Sequence, residues 1–573
     1  MTDSITPVPE NRTAPEPDAM ESTPVSTQQA STRPAPTQQA PTQPATVPQP
    51  AVHISRGRAS LYMFTSVLMF LTQGLGMNLL NANLYQLQGA FSATVNELAW
   101  LSAAYMAPYA SLSVALFKIR TQYGLRRFAE LGILCFVFAA FANLFVSDLH
   151  SALIIRFVNG VAAAPLSTIG ILYMLEAFPP AKKLSMGLSL AVMNTLLSAP
   201  LARIISPALM QYGGWRALYT FEVALALIAL PFIYLLPLTA PPRAKVIQTL
   251  DIFSYLILAG GFGCLAIILS LGRFYWWFEA PWLGVLLASA IGLLSLFVAI
   301  EINRSQPMLD LRWIFSWPNI HMAGVLILFR TVSSEQTATV SGFYQQIGLQ
   351  NDQTMKLYAI VLVASVAAGL FCTFLMVKKQ LDLAHVIALV LIGAGAWLDS
   401  QSTNLTRPEQ MYLSQALVAA GAAMFLPPVM TTGFGAALAK GPIYVVNFIV
   451  IFLFTQSLGS LMASAALGTF VTIREKFHSN LLAEQIMLSD PLVANRVTQL
   501  AGSYGKVITD KTLLNAEGLQ LLTQQVSREA YVLAYNDAFF VIFIGCAISL
   551  AILVGHLIWR RLVASPDPAA VPA

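Results

Sequence analysis

Charge is what this chain has least of. Asp, Glu, Lys and Arg make up 10% of its 573 residues, against roughly 25% in a soluble protein. Hydrophobic residues make up 56%. No soluble core absorbs that much apolar surface, so most of the chain is expected to face lipid. The net charge of +5 is small and falls in the loops beside apolar runs, where it reads as an orientation signal. No basic, aromatic-interleaved patch is present, which argues against a nucleic-acid partner. There is no Walker loop and no Cys/His cluster, so neither ATP hydrolysis nor a resident metal or other cofactor is expected. Cys135, Cys264, Cys372 and Cys546 all lie in apolar runs without ligand spacing, and read as small buried hydrophobes. No paired catalytic groups gather at one interface, so the chain is not read as an enzyme. The first apolar run starts near Leu61, too late and too long for a secretory signal peptide.

What is there is a succession of apolar runs. Residues 1–51 are rich in Pro, Thr, Gln and Ala, a composition that does not offset ordering entropy, so a disordered cytoplasmic tail is expected. A bilayer core of roughly 30 Å needs about 20 apolar residues in a helix. Fourteen runs qualify. They are Leu61–Leu84, Leu98–Phe117, Phe128–Phe145, Ala152–Tyr173, Leu184–Leu209, Leu218–Leu236, Leu250–Leu271, Trp282–Ile300, Ile320–Phe343, Leu357–Val377, Ala384–Leu398, Met411–Leu438, Tyr444–Val471 and Ala538–Ile558. The eleventh is short. With a cytoplasmic N-terminus, seventeen Lys and Arg fall in inside loops, and only Arg216, Arg273, Lys356 and Arg407 in short outside ones. That bias supports both the count and the orientation, with both termini cytoplasmic. The stretch 472–537 is the one long outside loop, with apolar residues at helical spacing that predict short amphipathic helices. It reads as a cap on the outer membrane face or as a docking element for a periplasmic adaptor protein.

Ionisable residues at membrane depth are costly and mark functional sites by default. Arg156 and Glu222 lie within spans four and six. Proton coupling needs a carboxylate or histidine whose charged form burial disfavours, and Glu222 fits. The competing reading pairs it structurally with Arg203 or Arg216. In span nine, Arg330, Ser334, Thr337, Ser341 and Tyr344 recur at three- and four-residue steps and share a helical face, with Glu335 beside it. That polar stripe predicts a pathway wall carrying the charges Arg330 and Glu335, Arg330 balancing Glu335; the alternative is a Ser/Thr packing strip. Arg156 and Asn159 are followed by Gly160, Ala162 to Ala164 and Pro165. Close helix packing explains the small residues, while the arginine wants an acid or a substrate oxygen. Asp399, Glu130 and Glu176 lie near span ends and read as structural.

Several stretches resemble the major facilitator superfamily, in particular its fourteen-span drug/proton antiporter branch of the EmrB/QacA type. "RFVNG" at Arg156 to Gly160 resembles the fourth-span motif R-x-x-Q-G, with Asn159 for Gln. "YGLRRF" at Tyr123 to Phe128 occupies the place of D-R-x-G-R-K, without its acid. "GGWRALYTFE" at Gly213 to Glu222 resembles the entry to span six, with Glu222 where the pattern has Asn. "NELAWLSAAYMA" resembles the entry to span two. "GMNLLNANLY" at Gly76 to Tyr85 resembles the first-span pattern; Asn81 keeps its Asn, and Gly76 replaces the Asp linked to proton coupling in relatives. The fifth-span glycine motif is reduced to Ala199–Pro200, with Arg203 where a glycine would fall.

The resemblance implies an all-α major facilitator fold of two six-helix bundles with two extra central spans. The expected boundaries are 52–236 for the first bundle, 237–312 for the extra spans, and 313–471 plus 538–562 for the second bundle, with a cytoplasmic tail over 563–573. It implies a multi-pass protein of a bacterial inner membrane that exports hydrophobic or amphipathic small molecules using a proton gradient. Uptake or export of one dedicated metabolite is the alternative within transport, and a receptor built on a transporter scaffold is the alternative outside it.

Overall fold

The computed structural model describes residues 55–239 and 243–563. The expected tails over 1–51 and from 564 on lie outside the described residues. Nineteen α-helices follow in order: α1 Arg56–Ala82, α2 Leu84–Phe91, α3 Val95–Tyr123, α4 Leu125–Ala142, α5 Leu149–Glu176, α6 Pro180–Lys182, α7 Leu188–Asn194, α8 Ser198–Leu235, α9 Thr249–Tyr275 and α10 Pro281–Ile302. Then come α11 Leu311–Ile314, α12 Trp317–Ser334, α13 Val340–Gln346, α14 Asn351–Val377, α15 Leu381–Asp399, α16 Tyr412–Lys440, α17 Pro442–Gln485, α18 Pro491–Gly502 and α19 Lys511–Val563. Among the described residues, 12 helical stretches are long and apolar enough to cross a membrane. That number is consistent with fourteen spans. One of the stretches, Pro180–Leu235, is 56 residues long, and Gly214 interrupts it with φ 59° and ψ −154°, so it holds spans five and six. Span nine, with its polar stripe and a π-turn at Glu335–Thr339, is not apolar enough to be among the 12.

Local chemistry explains where the helices begin and end. Thr94 caps α3 in a reciprocal box with Glu97, and Asp148 does the same for α5 with Ser151. Gly124, at φ 86°, separates α3 from α4 within the "YGLRRF" turn. Large apolar side chains such as Phe138, Ile154 and Val285 point outward, as lipid-facing residues do.

One apolar core joins α1, α3, α4, α5 and α8 through residues such as Met69, Met106, Ile133 and Val223. A second joins α12, α14, α15, α16 and α17, and draws in Leu188 and Val192 of α7. The pair α9–α10 packs on α3 and α17 through Ile257, Phe297 and Val450. These are the two bundles and the extra pair.

Two expectations change. The segment after span thirteen does not break into short helices: α17 runs unbroken through 44 residues to Gln485, and α19 through 53. No proline or glycine interrupts residues 469–485, so helical hydrogen bonding continues past the apolar run. Only α18 is a separate short helix. All four cysteines are free, but Cys135 is exposed and Cys264 half-buried, while Cys372 and Cys546 are buried. The "YGLRRF" turn carries no acid, and a charge network beside it joins α3 to α9 and the end of α10. Lys118 at the end of α3 meets Asp251 at the start of α9 at 2.8 Å, and Arg304 meets both Asp251 and Glu301 at 2.8 Å.

Candidate functional site

A cavity of about 400 Å³ lies between the two bundles. Residues from α1, α3, α5, α8, α9, α12, α16 and α17 line it. Its apolar wall includes Phe70, Met77, Met106 and Phe452, and its polar wall Gln73, Asn78, Asn81, Gln336 and Gln456. Asn81 accepts a hydrogen bond from Ser102 of α3 at 2.8 Å. Three arginines, Arg203, Arg273 and Arg330, reach the lining, and no Asp or Glu does. Arg203 of α8 donates to Ser341 at 2.7 Å and Asn351 at 3.2 Å and lies over the Tyr358 ring. It thereby ties the first bundle to the second. Arg330 donates through Nε and Nη2 to the Gln456 carbonyl at 3.2 and 3.1 Å.

Behind the first-bundle wall sits a buried polar cluster. Arg156 is 1% exposed, stacks on Tyr105 at 4.5 Å, and donates through Nη1 to the Gly76 carbonyl at 2.9 Å. Its Nε and Nη2 have no hydrogen-bond partner. Glu222 is 3% exposed. One of its oxygens accepts a long 3.5 Å bond from Asn143, and the other has no partner. Asn159 donates to that same Asn143 at 2.7 Å. A Cβ at Gly76 would lie 2.7 Å from Glu222 Oε1. The carboxyl of Glu222 therefore stands beside the position that a first-span aspartate would fill. The bland alternative, a salt bridge to Arg203 or Arg216, is not what the fold forms: Arg203 points into the cavity instead.

A second acidic site lies in the second bundle. Glu335 and Asp399 are 0% and 1% exposed. The Gln415 amide donates to both, at 3.0 Å to Glu335 and 2.6 Å to Asp399, and Ser414 donates to Asp399. Glu335 Oε2 has no donor of its own, so the Gln415 amide is what bridges the two acids. No arginine or lysine pairs with either acid among the described residues; Arg330 is turned to Gln456 instead of balancing Glu335. Gln336 lines the cavity and donates to the Gln415 carbonyl at 2.9 Å, which connects the acid pair to the wall.

The sequence-predicted residues thus divide. Asn81, Arg203, Arg330, Ser334 and Thr337 line the cavity. Arg156, Asn159 and Glu222 form the cluster behind it. Ser341 and Tyr344 leave the predicted stripe: Ser341 accepts from Arg203, and Tyr344 packs among Phe343, Tyr535 and Phe539 with its hydroxyl on Met411. The cause is the π-turn Glu335–Thr339, which adds a residue to one turn and rotates everything after it; such turns are frequent at functional sites. Sequence reasoning missed Arg273, counted as an outside-loop charge but placed in the last turn of α9. It also set Asp399 aside as a span-end acid. Only its nearness to Ser414 and Gln415 across a short loop could have marked it.

A sequence model of the major facilitator superfamily matches residues 66–466. The chain is 23% identical over 254 residues to the multidrug resistance protein Stp of Mycobacterium tuberculosis, 43% of this chain and 47% of that one. It therefore spans about half the length of Stp. It is 20% identical over 504 residues to the multidrug export protein EmrB of Escherichia coli, 84% of this chain and 92% of EmrB. Among solved structures, the proton:xylose symporter XylE aligns with a TM-score of 0.51 at 13% identity, covering 86% of this chain and 95% of XylE, a likeness of fold alone. With two helical bundles around a central cavity and a family match over most of its length, this chain belongs to the major facilitator superfamily.

Proposed function

We propose that the chain is a secondary exporter of hydrophobic or amphipathic small molecules, driven by proton antiport across a bacterial inner membrane. The observation that carries the coupling is the pair of buried acidic sites, one in each bundle, with no ion-paired cation at either. Two buried carboxyls that share one amide donor repel each other when both are charged, which makes the Glu335–Asp399 pair a place for a transported proton. Its loss leaves a charge that Gln415 and Ser414 alone stabilise. In the first bundle, an ionised Glu222 is drawn toward the free N–H groups of Arg156, and a protonated one is not. Because Arg156, Glu222 and Gly76 sit on α5, α8 and α1, this change repositions three helices that bound the cavity. Export, rather than uptake, is supported by the name of EmrB, a multidrug export protein.

Substrate-induced proton release from purified protein tests this reading. Wild type releases protons on substrate addition, whereas Glu222→Gln and Glu335→Gln release fewer, and the amides preserve substrate binding by mimicking the protonated acids. Undiminished release from both variants and from Asp399→Asn would sink the coupling proposal.

The orientation is part of the same proposal. Reporter fusions at Lys118, Lys182, Lys378 and Lys440 should read cytoplasmic, and one at Lys506 periplasmic. The helical extension between them, with Leu488, Leu492 and Val507 exposed, suits the docking of a periplasmic adaptor protein.

A further inference from the structure

The charge of the cavity wall is one-sided. Three arginines reach it and no acid does, although the same two bundles bury Glu222, Glu335 and Asp399 close behind. A cationic substrate would find no counter-charge on this surface. Arg203 is committed to Ser341 and Asn351. The other two are not committed in that way. Arg330 spends Nε and Nη2 on one backbone carbonyl, leaving Nη1 without a partner among the described residues. Arg273 forms no hydrogen bond or ion pair there; its guanidinium rests on the Phe274 ring and against Gly468, where a Cβ would lie 2.6 Å from Nη1. The Ser270 and Ser333 hydroxyls and the Gln456 amide nitrogen belong to lining residues and also lack partners, but are themselves buried.

A guanidinium kept charged in a low-dielectric wall is stabilised by an oxyanion that accepts from its planar fork. From this we infer that the cavity binds organic anions: an oxyanion headgroup, carboxylate or phosphate ester, on Arg330, whose Nη1 is free, with an apolar body against Phe70, Met106 and Phe452, while Arg273, which lies against α17 further along at Gly468, adds to the positive potential of the wall. The volume suits a ligand of drug-like size. This narrows the substrate class of the transport reading above and rests on taking the cavity as the substrate path.

Four probes with one apolar body separate the headgroups: 2-naphthoate, 2-naphthyl phosphate, 2-naphthamide and 2-naphthylmethylamine. Binding to the full chain in lipid nanodiscs is measured by calorimetry. The carboxylate or the phosphate ester binds, and the amide and the amine bind on the order of 10- to 100-fold more weakly, the range of one charge-assisted hydrogen bond. Whichever anion binds more tightly identifies the headgroup. Arg330→Gln lowers anion affinity toward that of the amide and Arg330→Lys retains part of it, whereas Arg273→Gln, which removes only a distant charge, lowers it less. Should a variant fail to fold, the wild-type ranking of the four probes still decides. Equal or tighter binding of the amine or amide, or binding of none of the four, overturns the proposal. Proteoliposomes with an imposed pH gradient keep the two readings apart. Anion-selective binding without gradient-driven movement defeats antiport and leaves the anion site. Gradient-driven movement of the amine in preference to the anions defeats the anion site and leaves antiport.

Discussion

A single missing side chain organises the first-bundle cluster. Gly76 lets the Glu222 carboxyl approach the backbone of α1, and its carbonyl anchors Arg156. Gly76→Ala puts a methyl group 2.7 Å from Glu222 Oε1 and 3.5 Å from Phe136, an overpacking expected to cost about 1–3 kcal/mol. In a Glu222→Ala background the obstructing atom is gone, so the same change should cost less. Thermal melts of both singles and the double form a cycle that reads this coupling; strict additivity would show that the two residues do not meet. Gly160 has a harder neighbour, because an added Cβ there runs into the Tyr105 carbonyl of α3. Backbone cannot yield as a side-chain tip does. Gly160→Ala should therefore lower the melting temperature by several degrees and loosen α3 from α5.

Helices here are divided by backbone conformation as much as by composition. Gly214, at φ 59° and ψ −154°, adopts a conformation that L side chains avoid, which splits one 38-residue helix into the end of span five and span six. An alanine there is strained by about 1–3 kcal/mol even though nothing crowds its Cβ. Gly214→Ala should thus destabilise the protein without touching the cavity; an unchanged melting temperature would show that the kink relaxes freely. The π-turn in span nine acts on register. It keeps Arg330, Ser334 and Thr337 on the cavity while turning Tyr344 into the outer core. Deleting Ala338 should remove the extra residue and return the turn to α-helical hydrogen bonding while Ser341 and Tyr344 keep their places, so that only the wall around Gln336 and Thr337 is rebuilt. The expected outcome is a folded protein with impaired substrate binding, checked by ligand-dependent thermal shift.

Across the whole molecule, one charge network holds the extra pair α9–α10 to the first bundle. Lys118, Asp251, Arg304 and Glu301 lie on α3, α9 and the end of α10, with side chains 13% exposed or less. Removing one member of a buried network strands the others, at a cost of about 3–5 kcal/mol. Asp251→Ala should accordingly lower the melting temperature more than Glu301→Ala, since Asp251 serves two cations. A smaller effect at Asp251 would assign the docking of α9 to its apolar contacts instead.

Composition alone determined that this chain lives in a membrane, because 56% hydrophobic residues exceed what any soluble core buries. The apolar runs and the alternation of Lys and Arg between loops marked the spans, since each bilayer crossing imposes a length and each loop a charge bias on the sequence itself. The individual polar residues at membrane depth, among them Arg156, Glu222, Arg330 and Glu335, were equally visible, for the cost of burying them makes them rare. Their partners were not. The approach of Glu222 to Gly76 spans 146 positions of chain, a separation no local pattern records. The pairing of Glu335 with Asp399 joins span nine to span eleven through Gln415 on span twelve. Arg273 looked like a loop charge because sequence cannot show that its helix runs one turn further and brings it to the cavity wall. Helical periodicity assumed a constant 3.6 residues per turn, and a single π-turn was enough to send Ser341 and Tyr344 elsewhere. Most of these were decided by packing between helices, where a side chain's neighbours come from the whole fold and not from its own helix.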